Sequence, residues 1–213
     1  MRDAFSDQLD AIFDDLATIA GDVKVAVERG TTAQLTGDAL VAEQVISADV
    51  VIDTRRERVE DRSFSLLSLQ QPVAGDLRTI VAALRMVADL ERAGDLAVHV
   101  AKIARLRVPG IAVPEEVRPM VQRMAEIAEE MVGRTARIIA ERDIDGAAAL
   151  ASVEEEMDRL RAEMLRDLLG ADWSHGVESA VDLALLGRYY ERIGDHAVSV
   201  ANRVVYVVTG VRP

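Results

Sequence analysis

The chain has 213 residues, a formal net charge of −12 and no cysteine. The absence of cysteine excludes disulfides, thiolate metal sites and cysteine nucleophiles, and the acidic balance argues against a protein that binds the phosphate backbone of nucleic acids. Half of the residues are apolar but only 3% are aromatic, a composition that favours helices packed through small and aliphatic side chains over a β-sandwich. We therefore expect an all-α protein.

The N-terminus, MRDAFSDQLDAIFDDL, carries acidic residues at helical spacing instead of the basic start and apolar run of a secretory signal. We interpret it as the beginning of the mature protein. The most apolar stretch, residues 197–211, is interrupted by Asn202 and Arg203 and falls short of the roughly 20 apolar residues that span a bilayer. No transmembrane segment is predicted.

Three helices are predicted in the first half. Apolar residues at helical spacing predict the first helix over residues 3–29, with Gly30 as its end. Thr31 or Thr32 then offers an N-cap for the second helix. The second helix continues without an internal proline until Pro72.

Four arginines of the second helix alternate with acidic residues, a pattern that we interpret as a solvated helix face. These arginines are Arg55, Arg56, Arg58 and Arg62. The third helix is predicted from about Pro72, which suits a first helical turn, to Arg107. The segment VPGIAVP, residues 108–114, combines two prolines and a glycine and is predicted to link two halves, 1–108 and 114–213.

The second half is predicted to contain three more helices. The fourth ends at about Arg142, and the fifth has Asp145 as its N-cap and ends near Leu169. The turn GADWSHG, residues 170–176, precedes a sixth helix that ends near Thr209. The predicted order is therefore three helices, a linker and three helices.

An eleven-residue segment occurs twice in the chain. ERAGDLAVHVA begins at Glu91 and ERIGDHAVSVA begins at Glu191, with eight identical positions. Each copy carries two acidic residues four positions apart, so that both carboxylates lie on one helix face. Each copy also carries a glycine inside the helix, Gly94 or Gly194, which costs about 1 kcal/mol against alanine and indicates a close neighbour.

A second acid pair lies one helix before each copy: Asp49 with Asp53, and Glu154 with Asp158. Antiparallel packing of consecutive helices would bring four carboxylates together in each half. Buried carboxylates need protons, arginines or metal ions, and ligation by oxygen atoms alone favours Mg²⁺, Mn²⁺, Ca²⁺ or iron. The candidate metal ligands are Asp49, Asp53, Glu91, Asp95, Glu154, Asp158, Glu191 and Asp195.

The three histidines are weaker candidates for metal ligands. His99 follows Asp95 by one helical turn, but Ser199 occupies its place in the second copy, so we expect His99 to lie at an interface or in a hydrogen bond. His175 and His196 have no equivalents, and we interpret both as structural or surface residues. Trp173 is predicted to be a hydrophobic anchor of its turn.

These features resemble the PhoU family of phosphate-transport regulatory proteins. The resemblance rests on the two three-helix halves, on the stretch QQPVAGDLR at residues 70–78 and on the repeated E-R-x-G-D segment, and it covers nearly the whole chain. It implies two tandem three-helix bundles with an internal pseudo-twofold repeat and a homodimer. It also implies that the acid pairs bind metal ions, with iron, zinc, manganese and magnesium as candidates.

The resemblance further implies a regulatory function. Proteins of this kind are expected to be cytoplasmic, to associate with the ATPase subunit of the phosphate-specific ABC transporter and with the phosphate-sensing histidine kinase, and to restrain the phosphate-starvation response when phosphate is plentiful. The chain has no P-loop and no glycine-rich phosphate cradle. We therefore expect that any phosphate dependence comes through partners, and we predict no enzymatic activity.

Two alternatives remain open from the sequence. The first is a metal-free helical scaffold whose repeated acids form salt bridges with Arg92, Arg192 and their neighbours. The second is a carboxylate-bridged dimetal oxidase, which uses glutamate three residues before histidine. Leu96, Asp172 and Ile193 occupy the positions where that glutamate is needed, so the oxidase is the weaker alternative.

Overall fold

A computed structural model describes residues 2–70 and 72–211, with side chains described for residues 5–68 and 72–211. Its helices are α1 Arg2–Thr36, α2 Ala39–Gln70, α3 Gly75–Arg107, a 3₁₀ turn Glu115–Val117, α4 Arg118–Glu141, α5 Ile144–Leu168 and α6 Gly176–Thr209. The predicted all-α class and the order of six long helices are confirmed. Gln71 of the QQPVAGDLR stretch lies outside the described residues, as do the side chains of Leu69 and Gln70. In the described part of the chain, no helix combines the length and the apolar character that crossing a membrane requires.

The first helix continues past its predicted end at Arg29 to Thr36. Gly30 does not terminate it, because α1 and α3 approach closely at this point: a Cβ atom on Gly30 would lie 3.1 Å from the carbonyl oxygen of Ala97. Thr31 is likewise not a cap. Its hydroxyl lies inside the bundle, donates to a carbonyl of its own helix and lies 2.9 Å from the hydroxyl of Tyr190.

The turn between α1 and α2 is formed by Gly37 and Asp38. Gly37 has φ +71°, a left-handed conformation that glycine adopts without steric cost. The Asp38 carboxylate accepts hydrogen bonds from the amides of Leu40 and Val41 at 2.9 and 3.0 Å. Asp38, rather than a threonine, therefore caps α2.

Two other helix starts also differ from the prediction. The third helix begins at Gly75, three residues after Pro72. The N-cap of α5 is Asp143 and not Asp145, because the Asp143 carboxylate accepts a hydrogen bond of 2.9 Å from the amide of Gly146. Arg142 adopts the left-handed conformation that ends α4, with φ +56°.

The two halves share one continuous core. In the first half, α1 packs against α2 and α3, and in the second half α4 packs against α5 and α6; the halves meet where α1 contacts α4 and α3 contacts α6. Core residues come from both sides, including Phe13, Met86, Met124, Leu186 and Tyr190. The division of the chain into two domains, residues 1–108 and 114–213, stays a prediction.

The contact between α3 and α6 shows the internal pseudo-symmetry directly. His99 of α3 stacks on Tyr189 of α6 with 5.4 Å between ring centroids. The positions one hundred residues away, Ser199 and Asp89, also meet, through a hydrogen bond of 3.0 Å. Because a shift of one hundred residues exchanges the two contacts, the two helices are related by a pseudo-twofold axis that passes between them.

A buried ionic network joins α3 to α6 around Asp89, which is 7% exposed. Its carboxylate accepts hydrogen bonds from Ser199 and, at 2.9 and 3.2 Å, from Arg203, and lies 3.1 Å from Nδ1 of His196. Burial by itself raises the pKa of Asp89, but the hydrogen bonds from His196, Arg203 and Ser199 outweigh it and leave this pKa below its ordinary value. Asp89 therefore remains ionised in the interface.

The arginines of α2 are not all on a solvated face. Arg55 and Arg62 are half-buried and form salt bridges of 2.8 Å with Asp22 and Asp15 of α1. These two residues hold α2 to α1, so the predicted solvated face is wrong for them. Arg58 is exposed, as that interpretation expects.

Candidate functional site

In the N-terminal half, the structure brings both acid pairs together. Asp49 and Asp53 lie on α2, and Glu91 and Asp95 lie on the facing part of α3. Burial raises the pKa of Asp49, and the negative charges of Asp95 and Asp53 raise it further. Burial also raises the pKa of Glu91, with further contributions from Asp95 and Asp53. We name these four residues the N-terminal cluster.

Positive charge near the N-terminal cluster is limited. Arg56 opposes the rise in the pKa of Glu91, but its hydrogen bond of 2.8 Å goes to Glu60, which is not part of the cluster. Its Nε lies 3.8 Å from Asp53. Lys102 and His99 act on Asp49 with smaller effects than burial and the two neighbouring acids. Negative charge therefore dominates the environment of Asp49 and Glu91.

The corresponding acids of the C-terminal half also approach one another, and we name them the C-terminal cluster: Glu154, Asp158, Glu191 and Asp195. Burial raises the pKa of Glu154, followed by the charges of Asp195 and Asp158. Glu191 has a different environment. It is hydrogen-bonded to Arg188 and lies 3.3 Å from Arg161, and its side chain is only 12% exposed.

The difference between the clusters follows from two positions in the repeat. Arg188 of α6 corresponds to Ala88 of α3, so the N-terminal cluster lacks this arginine. Glu60 of α2 corresponds to Leu165 of α5. Arg161 therefore has no such competing acid and pairs with Glu191 across the helices.

Sequence reasoning missed Arg56 and Arg161 as counter-ions of the acid pairs. Arg56 follows Asp53 by three residues, and Arg161 follows Asp158 by the same interval. This shared spacing is a signal that the sequence carries. The scaffold alternative instead named Arg92 and Arg192, of which Arg192 lies 3.9 Å from Asp195.

The repeated glycines lie at close helix contacts, as predicted. A Cβ atom on Gly94 would lie 2.9 Å from Cδ1 of Ile52 and 3.7 Å from Val23, so α3 packs tightly on α2 and α1. A Cβ atom on Gly194 would lie 3.1 Å from the sulfur of Met131 on α4. Both glycines adjoin the acidic residues and fix the helix spacing there.

The donor atoms of the clusters suit a hard cation, whereas their present geometry is not that of a formed coordination shell. Both clusters offer only carboxylate oxygens, and burial with mutual repulsion raises the pKa of Asp49, Glu91 and Glu154. Among the described residues, however, no three or more acidic or histidine side chains converge on one point as metal ligands. Ligation would need rotation of these side chains about their χ angles.

The histidines make their closest contacts outside the clusters, although His99 lies near enough to Asp49 to affect its pKa. His99 is exposed and stacks on Tyr189, and His196 belongs to the Asp89 network. His175 lies 3.6 Å from Glu116 and contacts the ring of Trp173. Trp173 packs against the core and donates a hydrogen bond of 2.8 Å to the carbonyl of Gly176, which agrees with its predicted anchoring role.

Comparison with known proteins assigns the family. The profile of the PhoU domain matches the chain twice, over residues 16–104 and over residues 121–204. The chain belongs to the PhoU domain family. Each matched PhoU region contains one complete carboxylate cluster, so the repeat seen in the sequence is a repeat of the family's domain.

Curated PhoU relatives match over the whole chain. The phosphate-specific transport system accessory protein PhoU homolog 2 of Mycobacterium tuberculosis is 45% identical over 213 residues, which is 100% of both chains. PhoU homolog 1 of Mycobacterium leprae is 44% identical and is covered over 96% of its length. The chain is therefore similar to these proteins from end to end.

Solved PhoU structures have the same fold. The crystal structure of PhoU from Pseudomonas aeruginosa superposes with a TM-score of 0.90 and 28% sequence identity, covering 97% of this chain and 100% of that one. The phosphate transport system regulatory protein PhoU from Streptococcus pneumoniae superposes with a TM-score of 0.87 over 98% of this chain. At 20% identity the second comparison bears on the fold alone.

Proposed function

We propose that the chain is an accessory and regulatory protein of phosphate transport. Membership of the PhoU family supports this role, together with full-length similarity to proteins named as phosphate-specific transport system accessory proteins. In finer detail, the chain is a cytoplasmic, homodimeric adaptor between the ATPase subunit of the phosphate ABC transporter and a phosphate-sensing histidine kinase. It restrains the phosphate-starvation response at high phosphate and has no catalytic step of its own.

The observation that carries the adaptor mechanism is the pair of carboxylate clusters at repeated positions, each formed by two neighbouring helices. In the N-terminal cluster, Asp49 and Asp53 would hold a cation from α2, and Glu91 and Asp95 would hold it from α3. A hard cation such as Mg²⁺, Mn²⁺ or iron supplies the positive charge that the cluster lacks. The four carboxylates then cease to repel one another, and α2 is held against α3.

The outer surfaces of the paired helices, α2 with α3 and α5 with α6, would be the surfaces to which the transporter ATPase or the kinase binds. With cluster repulsion relieved, each half presents a rigid helical surface, whose ordering cost on binding is low. The net charge of −12 favours encounter with basic surfaces of the transporter ATPase or the kinase. Charge of this kind affects the association rate more than the identity of the partner.

The metal-binding step is tested by the metal content of the dialysed native protein, measured by mass spectrometry. The Asp95→Asn/Asp195→Asn double variant removes one carboxylate charge from each cluster and is expected to lose the metal. A control variant, Asp61→Asn/Asp167→Asn, removes two exposed acids outside the clusters and is expected to retain it. Equal metal contents in all three proteins would refute ligation by the clusters.

The coupling to partners is tested with the same variants in a pull-down with the transporter ATPase subunit. The cluster variant is expected to bind less ATPase than the native protein and the control variant. Undiminished binding by a metal-free cluster variant would separate metal binding from the adaptor role. The accessory role itself would then rest on the family alone.

One observation favours the metal-free scaffold as a second candidate. Glu191 already has two arginine partners, Arg161 and Arg188, which supply the charge that a cation would bring. A scaffold held by such salt bridges is expected to keep its unfolding midpoint when a chelator is added. A chelator-induced loss of stability would exclude it.

A further inference from the structure

A cleft of about 600 Å³ lies between the beginning of α3 and the end of α6. Its polar walls consist of Arg78, Arg85, Ser199, Asn202, Arg203 and Tyr206. It shares no residue with either carboxylate cluster. We propose that this cleft is a binding site for phosphate oxyanions, a role that is separate from the metal-dependent adaptor mechanism.

The charge of the cleft is opposite to that of the protein as a whole. Three guanidinium groups line it, and none of its described lining residues is acidic, although the chain has 37 acidic and 25 basic residues. The charge of Arg203 is balanced by its salt bridge of 2.9 Å with Asp89, which does not line the cleft. Arg78 and Arg85 form no salt bridge with any residue that the structure describes. The cleft therefore keeps a local excess of positive charge, which attracts anions.

Arg78 is held in place by the end of α6. One of its Nη atoms donates a hydrogen bond of 3.2 Å to the carbonyl of Val207, and its guanidinium lies 5.7 Å from the ring centroid of Tyr206. The Nε–H of Arg78 is buried and has no acceptor among the described residues. Because this Nε–H is buried, an anion in the cleft would contact Arg78 through the part of its guanidinium that lines the cleft, in a side chain that is already ordered.

The start of α3 and the end of α6 contribute opposite partial charges to the cleft, and Asp76 lies in the first turn of α3. Ala74, the N-cap residue, lines the cleft and provides no side-chain cap. The first amides of a helix carry partial positive charge and favour anions. Arg78 and Arg85 follow on the same face, seven residues or about two turns apart. The positive potential of the cleft therefore rests on its guanidinium groups.

The chemistry and the size of the cleft favour phosphate groups over a single small anion. Guanidinium forks match the oxygen spacing of phosphate and form charge-assisted hydrogen bonds with it. The volume lies within the range of small-molecule sites and exceeds that of one orthophosphate. Leu77 and Val81, 42% and 39% exposed, add an apolar wall. The oxyanion would thus belong either to an inorganic phosphate chain or to an organic phosphate.

Occupancy of the cleft would connect the two halves of the molecule. Arg78 and Arg85 belong to the N-terminal half, and Asn202, Arg203 and Tyr206 belong to the C-terminal half. An anion that contacts both helices would bind only while α3 and α6 keep this arrangement. Binding therefore stabilises the folded interface through mass action.

The test is calorimetric titration of the full-length protein at 0.15 M salt with orthophosphate, tripolyphosphate and ATP. Binding of tripolyphosphate or ATP is expected, and the Arg85→Gln variant is expected to weaken it by roughly tenfold to a hundredfold, the range for loss of a charge-assisted hydrogen bond. Arg85 is exposed, so its replacement leaves the fold intact. The control, Arg58→Gln, removes an exposed arginine from α2 and should not change the affinity.

The three probes distinguish the sources of the oxyanion. Equal affinities for tripolyphosphate and ATP would assign the site to an inorganic chain, and tighter binding of ATP would assign it to an organic phosphate that contacts Leu77 and Val81. The proposal is overturned if no probe binds at millimolar concentration. It is also overturned if Arg58→Gln and Arg85→Gln weaken binding equally, because that result indicates non-specific attraction, or if hexaglutamate binds and the phosphate probes do not.

Discussion

The two copies of the repeated helix, α3 and α6, are alike where they contribute to the carboxylate clusters and different where they contact each other. Glu91 and Asp95 correspond to Glu191 and Asp195, and each pair faces the helix that precedes it in the chain. At the contact between the copies, in contrast, Asp89 corresponds to Tyr189, and His99 corresponds to Ser199.

This difference shows how a duplicated bundle becomes one asymmetric molecule. Each of the two related contacts across the pseudo-twofold axis has its own chemistry, an ionic hydrogen bond at Asp89 and an aromatic stack at Tyr189. Leu96 and Ile103 of α3 correspond to His196 and Arg203 of α6, which complete the ionic contact. The repeated positions serve each half separately, whereas the differing positions fix one half against the other.

The ionic contact is expected to be the stronger of the two. Replacing Asp89 with alanine leaves His196, Ser199 and Arg203 without their shared acceptor. We expect a loss of about 2–3 kcal/mol in the free energy of unfolding, less than the roughly 3–5 kcal/mol for a fully buried pair because Arg203 is 29% exposed and reaches water. Urea unfolding of the native and variant proteins measures this difference.

Tyr189→Leu is the matched control at the related position. It removes the stack on His99 but keeps an apolar side chain, and it is expected to cost about 0.5–1.5 kcal/mol, which is what aromatic pairing adds beyond burial. Equal losses in the two variants would mean that the pseudo-symmetric contacts contribute equally, contrary to our interpretation.

The two carboxylate clusters are expected to differ in their affinity for cations. The cause is Arg188, which pairs with Glu191 and has no counterpart in the N-terminal cluster. Arg188→Ala makes the C-terminal cluster resemble the N-terminal one, in which Ala88 occupies this position. Arg188 competes with a cation for Glu191, and this ion pair contributes about 1 kcal/mol. Its removal should therefore strengthen cation binding roughly fivefold. Calorimetric titration with Mn²⁺ in an Asp95→Asn background isolates the C-terminal cluster for this measurement.

The reverse exchange provides the control for this prediction. Ala88→Arg, in an Asp195→Asn background, places an arginine beside Glu91 and should weaken Mn²⁺ binding at the N-terminal cluster by a similar factor. If neither exchange changes the affinity, the arginine does not account for the difference between the clusters.

The sequence predicts the features that depend on local periodicity. Six helices, the linker after Arg107 and the approach of Glu91 and Asp95 to the acids of the preceding helix all follow from spacing along one or two helices. The predicted end of the first helix at Arg29 is wrong, because Gly30 has the local signature of a helix end but does not terminate α1. Its actual role is a close contact with Ala97, and this contact joins residues that are far apart in the chain.

The features that were missed depend on contacts between the halves. Asp89 has no local signature, and its partners follow it by more than one hundred residues. The arginine cleft likewise combines Arg78 and Arg85 of α3 with Arg203 of α6. The eleven-residue repeat contains part of the signal for this ionic contact. Its two copies differ at three positions, and His196 and Ser199 occupy two of them in the second copy. These differences indicate where a repeat loses its symmetry.

The smallest predicted difference concerns the two repeated glycines, which pack against neighbours of unequal flexibility. Gly94→Ala introduces a methyl group 2.9 Å from Cδ1 of Ile52, a core residue that is 4% exposed. Overpacking of this kind costs about 1–3 kcal/mol, and the gain in helix propensity returns about 1 kcal/mol. The balance is a net destabilisation of about 1 kcal/mol, within a range of roughly 0–2 kcal/mol. Gly194→Ala meets Met131 instead, at 3.1 Å from its sulfur. Because a methionine side chain adapts readily, this variant should be neutral or slightly stabilising. Urea unfolding of both variants measures the difference, and a larger loss for Gly194→Ala would show that the packing of α6 on α4 is the more rigid contact.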